Sequence, residues 1–311
     1  MLNVYFNHDA NTDDFTSLFF LTQMPHVHLS GVSVIPADGY LIPGLSATRK
    51  ILNRFLSQNP VSVAASDSRA EHPFPSDWRM FSFSADALAC LNHADLPAVD
   101  VDEQPAHHHL VQVLHAAAEP MTLLFTGPLT DLSRALALDP SIVSKIERLY
   151  WMGGTLKERG NVDDYEHDGS AEWNAFWDSQ AVKQVFDSSI AITMVSLEST
   201  DQVPLTDKIR HHWAMQANPG FDFLAQCYAN VPPLRFIENN STYYFWDVLT
   251  TLAMGYPDLV KTKQVKVTVS TQYPTHGKIS ISEHGRIVDV VDQVDQKAFY
   301  TCMDDLAKRA K

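Results

Sequence analysis

Short apolar runs alternate along the chain with longer stretches whose apolar residues recur at helical spacing. Leu2–Phe6 predicts a strand, and Asp13–Gln23 predicts a helix with Phe15, Leu18 and Phe19 on one face, a stripe that Thr22 interrupts. His28–Ile35 predicts a second strand ended by Pro36-Ala37-Asp38-Gly39. Ser46–Leu56 follows as a helix and Val61–Ala65 as a third strand. Leu110–Ala118 predicts a helix and Met121–Phe125 a buried strand. From there Gly127-Pro128-Leu129-Thr130 opens a helix reaching Ala137. Ile146–Met152, closed by Gly153-Gly154, and Ile190–Val195 are further strands. The stretch from Thr206 to Tyr256 is mainly helical in pattern, a cap or lid over the sheet edge. Val265–Ser270 and Gly277–Val291 alternate like a terminal hairpin. The alternation predicts an α/β fold with a doubly wound, mostly parallel, Rossmann-like sheet in one domain spanning 1–311.

In open parallel sheets, ligands bind beyond the carboxyl ends of the strands. Asp38, Thr126, Gly153-Gly154 and the acidic run after the first strand therefore belong on one rim. Composition narrows the ligand. Hydrophobic residues make up 45% of the chain and charged ones 19%, enough for a large core. A formal net charge of −14 excludes a nucleic-acid backbone or an anionic membrane as the main partner. A neutral or cationic small molecule, or a recruited metal cation, suits that charge. No apolar run reaches the roughly 18 residues that span a bilayer, and no basic segment precedes the apolar start, so no membrane span or signal peptide is expected. Cys90, Cys227 and Cys302 fit no CxxC pattern and read as reduced thiols, which makes the cytoplasm the expected compartment.

The stretch "NHDANTDD" (7–14) crowds Asp9, Asp13 and Asp14 together. Such carboxylates raise one another's pKa unless a cation neutralises them, and a hard divalent ion with oxygen ligands is the natural answer. An EF-hand loop is excluded, because Asp14 stands where glycine is needed and Phe20 where glutamate is needed. The competing reading is an acid-decorated helix N-terminus capped by Thr12 or Asp13.

"FNHDANTDDF" resembles the N-terminal acidic signature of the inosine-uridine-preferring nucleoside hydrolases. "FTGPLTDLSRAL" (125–136), "LYWMGGTLKERGNV" (149–162) with "SAEWNAFWD" (170–178), and "WDVLTTLAMGYPDL" (246–259) resemble the same family in the same order. The resemblance runs from residue 6 to 259. It implies the nucleoside hydrolase fold, with helical segments capping the active-site rim. The implied activity is Ca²⁺-dependent hydrolysis of ribonucleosides to base and ribose through an oxocarbenium-like transition state. It implies that Asp9, Asp14, Asp247 and the Thr126 carbonyl bind Ca²⁺, and that Asp9 activates the attacking water. Asp13, Asn161, Glu172 and Asn174 match sugar-binding positions, and Asp38 stands near another. A homodimer or homotetramer in nucleoside salvage or catabolism is implied as well.

Departures from the family pattern stand beside these matches. The first signature position, usually aspartate, is Asn7, and Ala10-Asn11 replace Pro-Gly. Asn11 is the residue expected to tolerate the left-handed conformation that this turn needs. Trp246 replaces a histidine that protonates the leaving base in many members. Tryptophan stacks on a base but does not protonate it, so Trp246 is a base-stacking candidate and Tyr243 and Tyr244 are candidate donors to the leaving group. His107-His108-His109 reads as a solvated helix start, and His276 as a loop residue. The rival function is a ribose- or nucleoside-binding protein with little turnover, given Asn7 and Trp246.

Overall fold

The computed structural model describes residues 1–56, 61–92, 100–229, 231 and 242–311. Its strands are β1 (Leu2–His8), β2 (Val27–Val34), β3 (Val63–Ala65), β4 (Val101–Asp102), β5 (Met121–Phe125), β6 (Ile146–Met152), β7 (Ile192–Val195), β8 (Val260–Val269), β9 (Ile279–Ile281) and β10 (Arg286–Val294). They form one sheet in the order β4-β3-β2-β1-β5-β6-β7-β10-β8-β9. Pairing is parallel from β4 through β7 to β10 and antiparallel only where β8 joins β10 and β9. The strand order reverses between β1 and β5, a topological switch point where the loops after both strands diverge and leave a crevice.

β1 shows why this sheet is buried on both faces. Its side chains alternate, so Val4 and Phe6 enter one core while Tyr5 enters the other. The first core is completed by the helices α1 (Thr12–Gln23), α2 (Leu41–Phe55) and the short α3 (Phe81–Asp86). The second takes α4 (Ala106–Ala116), α5 (Thr130–Leu138) and α7 (Ser179–Asp187), with α6 (Trp173–Trp177) just before α7. Beyond β7 come α8 (Leu197–Thr200), α9 (Asp207–Ala214), α10 (Pro219–Tyr228) and α11 (Trp246–Gly255). The last element is α12 (Gln296–Ala307), and α10, α11 and α12 all pack into the first core. Helices cover both faces, the doubly wound arrangement that the alternating pattern predicts.

Three local expectations change. The terminal hairpin is a three-stranded meander, because the turn Ser282–Gly285 divides Gly277–Val291 into β9 and β10. Part of the mainly helical stretch from Thr206 to Tyr256 lies outside the described residues; the rest forms α9, α10 and α11. The triple histidine is not a solvated helix start: His107 and His109 are buried in the first turn of α4. The His109 ring joins the Tyr5 hydroxyl at 2.9 Å and the Ser62 hydroxyl at 2.7 Å, so its polar atoms are satisfied where it packs against β1.

Candidate active site

The loop after β1 is built by a capping box. Asn11, not Thr12 or Asp13, is the N-cap of α1; its side chain accepts from Thr12 N–H at 2.6 Å, while Asp14 accepts from Asn11 N–H at 2.8 Å. Asn11 is extended, and the left-handed residue is Ala10, at φ 70°. Close packing holds Ala10 there. A Cβ on Gly39 would lie 2.1 Å from the Ala10 carbonyl oxygen, and one on Gly44 would lie 2.5 Å from the Ala10 Cβ. The turn thus draws the β2–α2 loop against Asp9, whose main-chain carbonyl accepts from Gly39 N–H at 2.7 Å and whose carboxylate accepts from Asp38 N–H at 3.2 Å. Gly127 closes the other side, since a Cβ there would sit 2.7 Å from the Asp9 Cβ.

A cavity of about 280 Å³ opens above this rim. Its polar wall consists of Asp9, Asn11, Asp13, Asp38, Thr126, Asn161, Glu172, Asn174 and Asp247, drawn from the segments after β1, β2, β5 and β6 and the starts of α1, α6 and α11. Its apolar wall consists of Phe74, Trp78, Phe81, Met152, Trp173, Tyr243 and Trp246, with Thr242 at the edge. Asp14 lies just beneath, fully buried, with Thr126 donating its hydroxyl to it at 2.5 Å. Tyr244 is the one sequence-derived candidate apart from this group: it packs edge-on against Trp246 and pairs with Pro204, and it does not line the cavity.

Several of these side chains already serve the backbone. Asp13 accepts from Asp247 N–H at 2.6 Å and Val248 N–H at 3.3 Å, anchoring the N-terminus of α11, and also accepts from the Tyr228 hydroxyl. Glu172 caps α6, accepting from Gly154 N–H and Asn174 N–H, each at 2.8 Å. Asn174 donates to the Thr126 carbonyl at 3.1 Å and the Met152 carbonyl at 3.2 Å, which leaves its buried Oδ1 without a partner. Asn161 accepts from Trp173 N–H at 3.1 Å. Asp38 accepts from Asn11 Nδ2 at 2.6 Å, and its other oxygen has no partner. Orphaned buried acceptors beside a cavity are points where a ligand hydroxyl gains most.

Burial pushes the Asp9 and Asp247 carboxyls well above the usual range, and for each the strongest reinforcing charge is Asp14. Burial likewise raises Asp13, Asp38 and Glu172 to about 7, against the hydrogen bonds that hold their ionised forms. Arg79, which spans the Pro36 and Gly39 carbonyls, is the cation that eases Asp38. The donors around Asp9, Asp14 and Asp247 are all oxygens in a surplus of negative charge, which matches a hard divalent cation. Among the described residues, no three His, Cys, Asp or Glu side chains converge on a common point.

The Tyr243 phenol is pushed well above its ordinary value, first by burial and then by Asp13, so it keeps its proton. No histidine is among the described residues lining the cavity. Phe74, Trp78 and Phe81 carried no signal of periodicity. Their only mark in the sequence is a set of large aromatics in a polar, proline-bearing stretch, which asks for a partner.

The sequence profile of the inosine-uridine preferring nucleoside hydrolases matches residues 4–301. The chain belongs to that family, and it is an N-ribosyl hydrolase that cleaves the N-glycosidic bond of nucleosides. A solved inosine-uridine preferring nucleoside hydrolase from Bacillus anthracis is 51% identical with a TM-score of 0.94, covering 99% of this chain and 100% of that one. The pyrimidine-specific ribonucleoside hydrolase RihB of Escherichia coli is 24% identical over 290 residues, 89% of this chain and 86% of that protein. The purine-preferring ribonucleoside hydrolase from Gardnerella vaginalis shares the fold at a TM-score of 0.77 and 22% identity, covering 98% of this chain and 99% of that one.

Proposed function

We propose that this chain hydrolyses ribonucleosides to free base and ribose with Asp9 as general base and Ca²⁺ as cofactor. The observation that carries the reading is the two-sided cavity, with carboxylates and amides on one wall and aromatic rings on the other. A ribose belongs against the polar wall and a base against the aromatic one.

Asp9 sits at the floor with one donor on its carboxylate among the described residues, the Asp38 N–H at 3.2 Å, and a raised proton affinity. It is placed to take a proton from a water attacking the anomeric carbon. Asp13 and Asp38 face the sugar hydroxyls, and the free Oδ1 of Asn174 supplies an acceptor for another. As the glycosidic bond breaks, the ribosyl ring becomes cationic, and these oxygens stabilise it more than they stabilise the neutral substrate. Trp78, Trp173 and Trp246 hold the base by stacking, and Tyr243 donates a hydrogen bond to it. Asp9, Asp14, Asp247 and the Thr126 carbonyl would hold the calcium ion. When bound, it neutralises the carboxylates, polarises water and orients the sugar diol.

The same reading places the reaction in the cytoplasm, supported by three unpaired cysteines, and the enzyme in a homodimer or homotetramer. No helix among the described residues is long and apolar enough to cross a membrane.

A reducing-sugar assay across purine, pyrimidine and modified nucleosides, with and without chelator, tests this. Ribose release that chelation abolishes and calcium restores is the expected result. Rates unaffected by complete calcium removal would overturn the cofactor assignment, and absence of cleavage across the panel would overturn the substrate class. Calorimetric titration with calcium reads the cofactor independently of turnover.

A further inference from the structure

Beneath the rim runs a buried polar chain that the reaction described above does not use. Asn7, at the end of β1 and fully enclosed, donates its amide to Ser33 Oγ of β2 at 2.8 Å and to Asp131 Oδ2 at 3.1 Å. Asp131, in the first turn of α5 and 1% exposed, accepts on its other oxygen from Ser66 Oγ at 2.7 Å and Ser68 Oγ at 2.8 Å, just past β3. Three neighbouring strand ends and the helix after β5 thus meet at one acid–amide pair. A buried charge costs far more than an apolar group in the same space, so its place at a structural joint calls for a role.

We propose that Asp131 is a positioning residue for the hydrolytic site and that it works with Asn7 as one acid–amide pair. The acid expected at position 7 is an amide here, and the negative charge stands across the hydrogen bond at Asp131. A carboxylate only accepts, so Asp131 obliges Asn7 to present its nitrogen and fixes which way the amide lies. The bond is charge-assisted and correspondingly strong. What it holds is the joint itself: the main-chain carbonyl of Asn7 accepts from Thr126 N–H at 3.0 Å, and Asp9 follows two residues later. Asp131 therefore fixes the Asn7 side chain from α5 at the joint where the tip of β1, which carries Asp9, is laddered to the tip of β5, which carries Thr126.

Donor and acceptor bookkeeping makes the two members exchangeable. With Asn7→Asp and Asp131→Asn together, the new amide keeps Oδ1 toward Ser66 and Ser68 and turns Nδ2 to the new carboxylate. That carboxylate also accepts from the Ser33 hydroxyl, so every bond is remade and the net charge is unchanged. Asn7→Asp alone sets two carboxylates in contact. Asp131→Asn alone leaves two amides with no charge to fix their orientation.

This inference rests on the proposed function, and a four-member cycle separates the two. Kinetics of nucleoside hydrolysis and thermal melts are measured on the wild type, both single variants and the double exchange. Asp131→Asn is expected to keep its melting temperature and KM and to lose about 10- to 100-fold in kcat, the usual cost of an outer-shell partner. Asn7→Asp is expected to melt lower than the wild type. The double exchange should recover both kcat and melting temperature to near the wild-type values. An Asp131→Asn enzyme with full kcat, or a folded double variant no better than the worse single, would overturn the pairing. A wild type that cleaves no nucleoside would strike the functional reading instead, and the melts alone would then decide the pair, since they need no turnover.

Discussion

In the proposed reaction Asp9 is the residue on which the chemistry rests, and its surroundings suit a base more than a structural anchor. Its carboxylate is buried, its proton affinity is raised, and no side chain fits at position 127 beside it. Gly127→Ala should therefore lower kcat at least about tenfold, because the added Cβ pushes on Asp9 itself; steady-state kinetics check it. Ala10 is a different kind of special residue. Left-handed backbone costs a non-glycine residue about 1–2 kcal/mol, and here the cost is borne to keep the loop against Asp9. Ala10→Gly should be tolerated with a melting temperature at or slightly above the wild type. Ala10→Val should destabilise by more than about 2 kcal/mol in denaturant melts, since its branched chain is strained there and Gly39 and Gly44 already close on the methyl. The sequence showed that the turn had to be made unusually, but it pointed to Asn11. Which of two adjacent residues turns left-handed depended on the capping box, and that is settled by hydrogen bonds to Asp14 that residue identity alone does not show.

At the scale of elements, the regular part of the fold was readable because the central strands are short and mostly apolar, bounded by turn residues. β5 and β6 begin and end where the pattern places them, at Met121–Phe125 and Ile146–Met152. Short elements such as α6 and α8 were not legible, being fixed by side-chain caps and not by periodicity. Glu172 at the start of α6 illustrates this: it is both a cap and a cavity residue. Asp13 has the same double duty at α11. Replacing it with Ala removes two backbone partners and the Tyr228 partner, so a stability loss of about 1–2 kcal/mol should accompany the loss of activity. Asp13→Asn should retain more of the stability than of the kcat, because an amide oxygen still accepts while the charge proposed to face the sugar is gone. The carboxylate wall was legible because strand ends in parallel sheets converge. The aromatic wall was only half legible: Trp246 was named as a stacking candidate, yet Phe74 and Trp78 come from an irregular segment whose path no periodicity reveals.

For the whole molecule, the buried acids couple stability to pH. Asp13, Asp38 and Glu172 are each raised to about 7 in the folded chain, whereas free carboxyls titrate near 4. Between those limits the folded state binds more protons than the unfolded one, so unfolding free energy falls as pH rises through the window. Calcium-free protein should accordingly melt highest on the acid side and progressively lower toward about pH 8. The proposed calcium ion would bind only the ionised carboxylates, so its stabilisation should be largest at the alkaline end, about 5 °C or more at a hundredfold excess over Kd. Melting temperatures that neither fall with pH nor respond to calcium would contradict this charge balance.

The most direct test of the central claim, that Asp9 in this two-sided cavity drives nucleoside hydrolysis, is kcat for Asp9→Asn measured beside the wild type. The substrate is the nucleoside that the wild type cleaves best. The amide preserves size and hydrogen-bond reach but cannot take the proton. A correctly folded variant is predicted to lose about 10²–10⁴-fold in kcat. A folded Asp9→Asn enzyme that releases ribose within a few-fold of the wild-type rate would contradict the account.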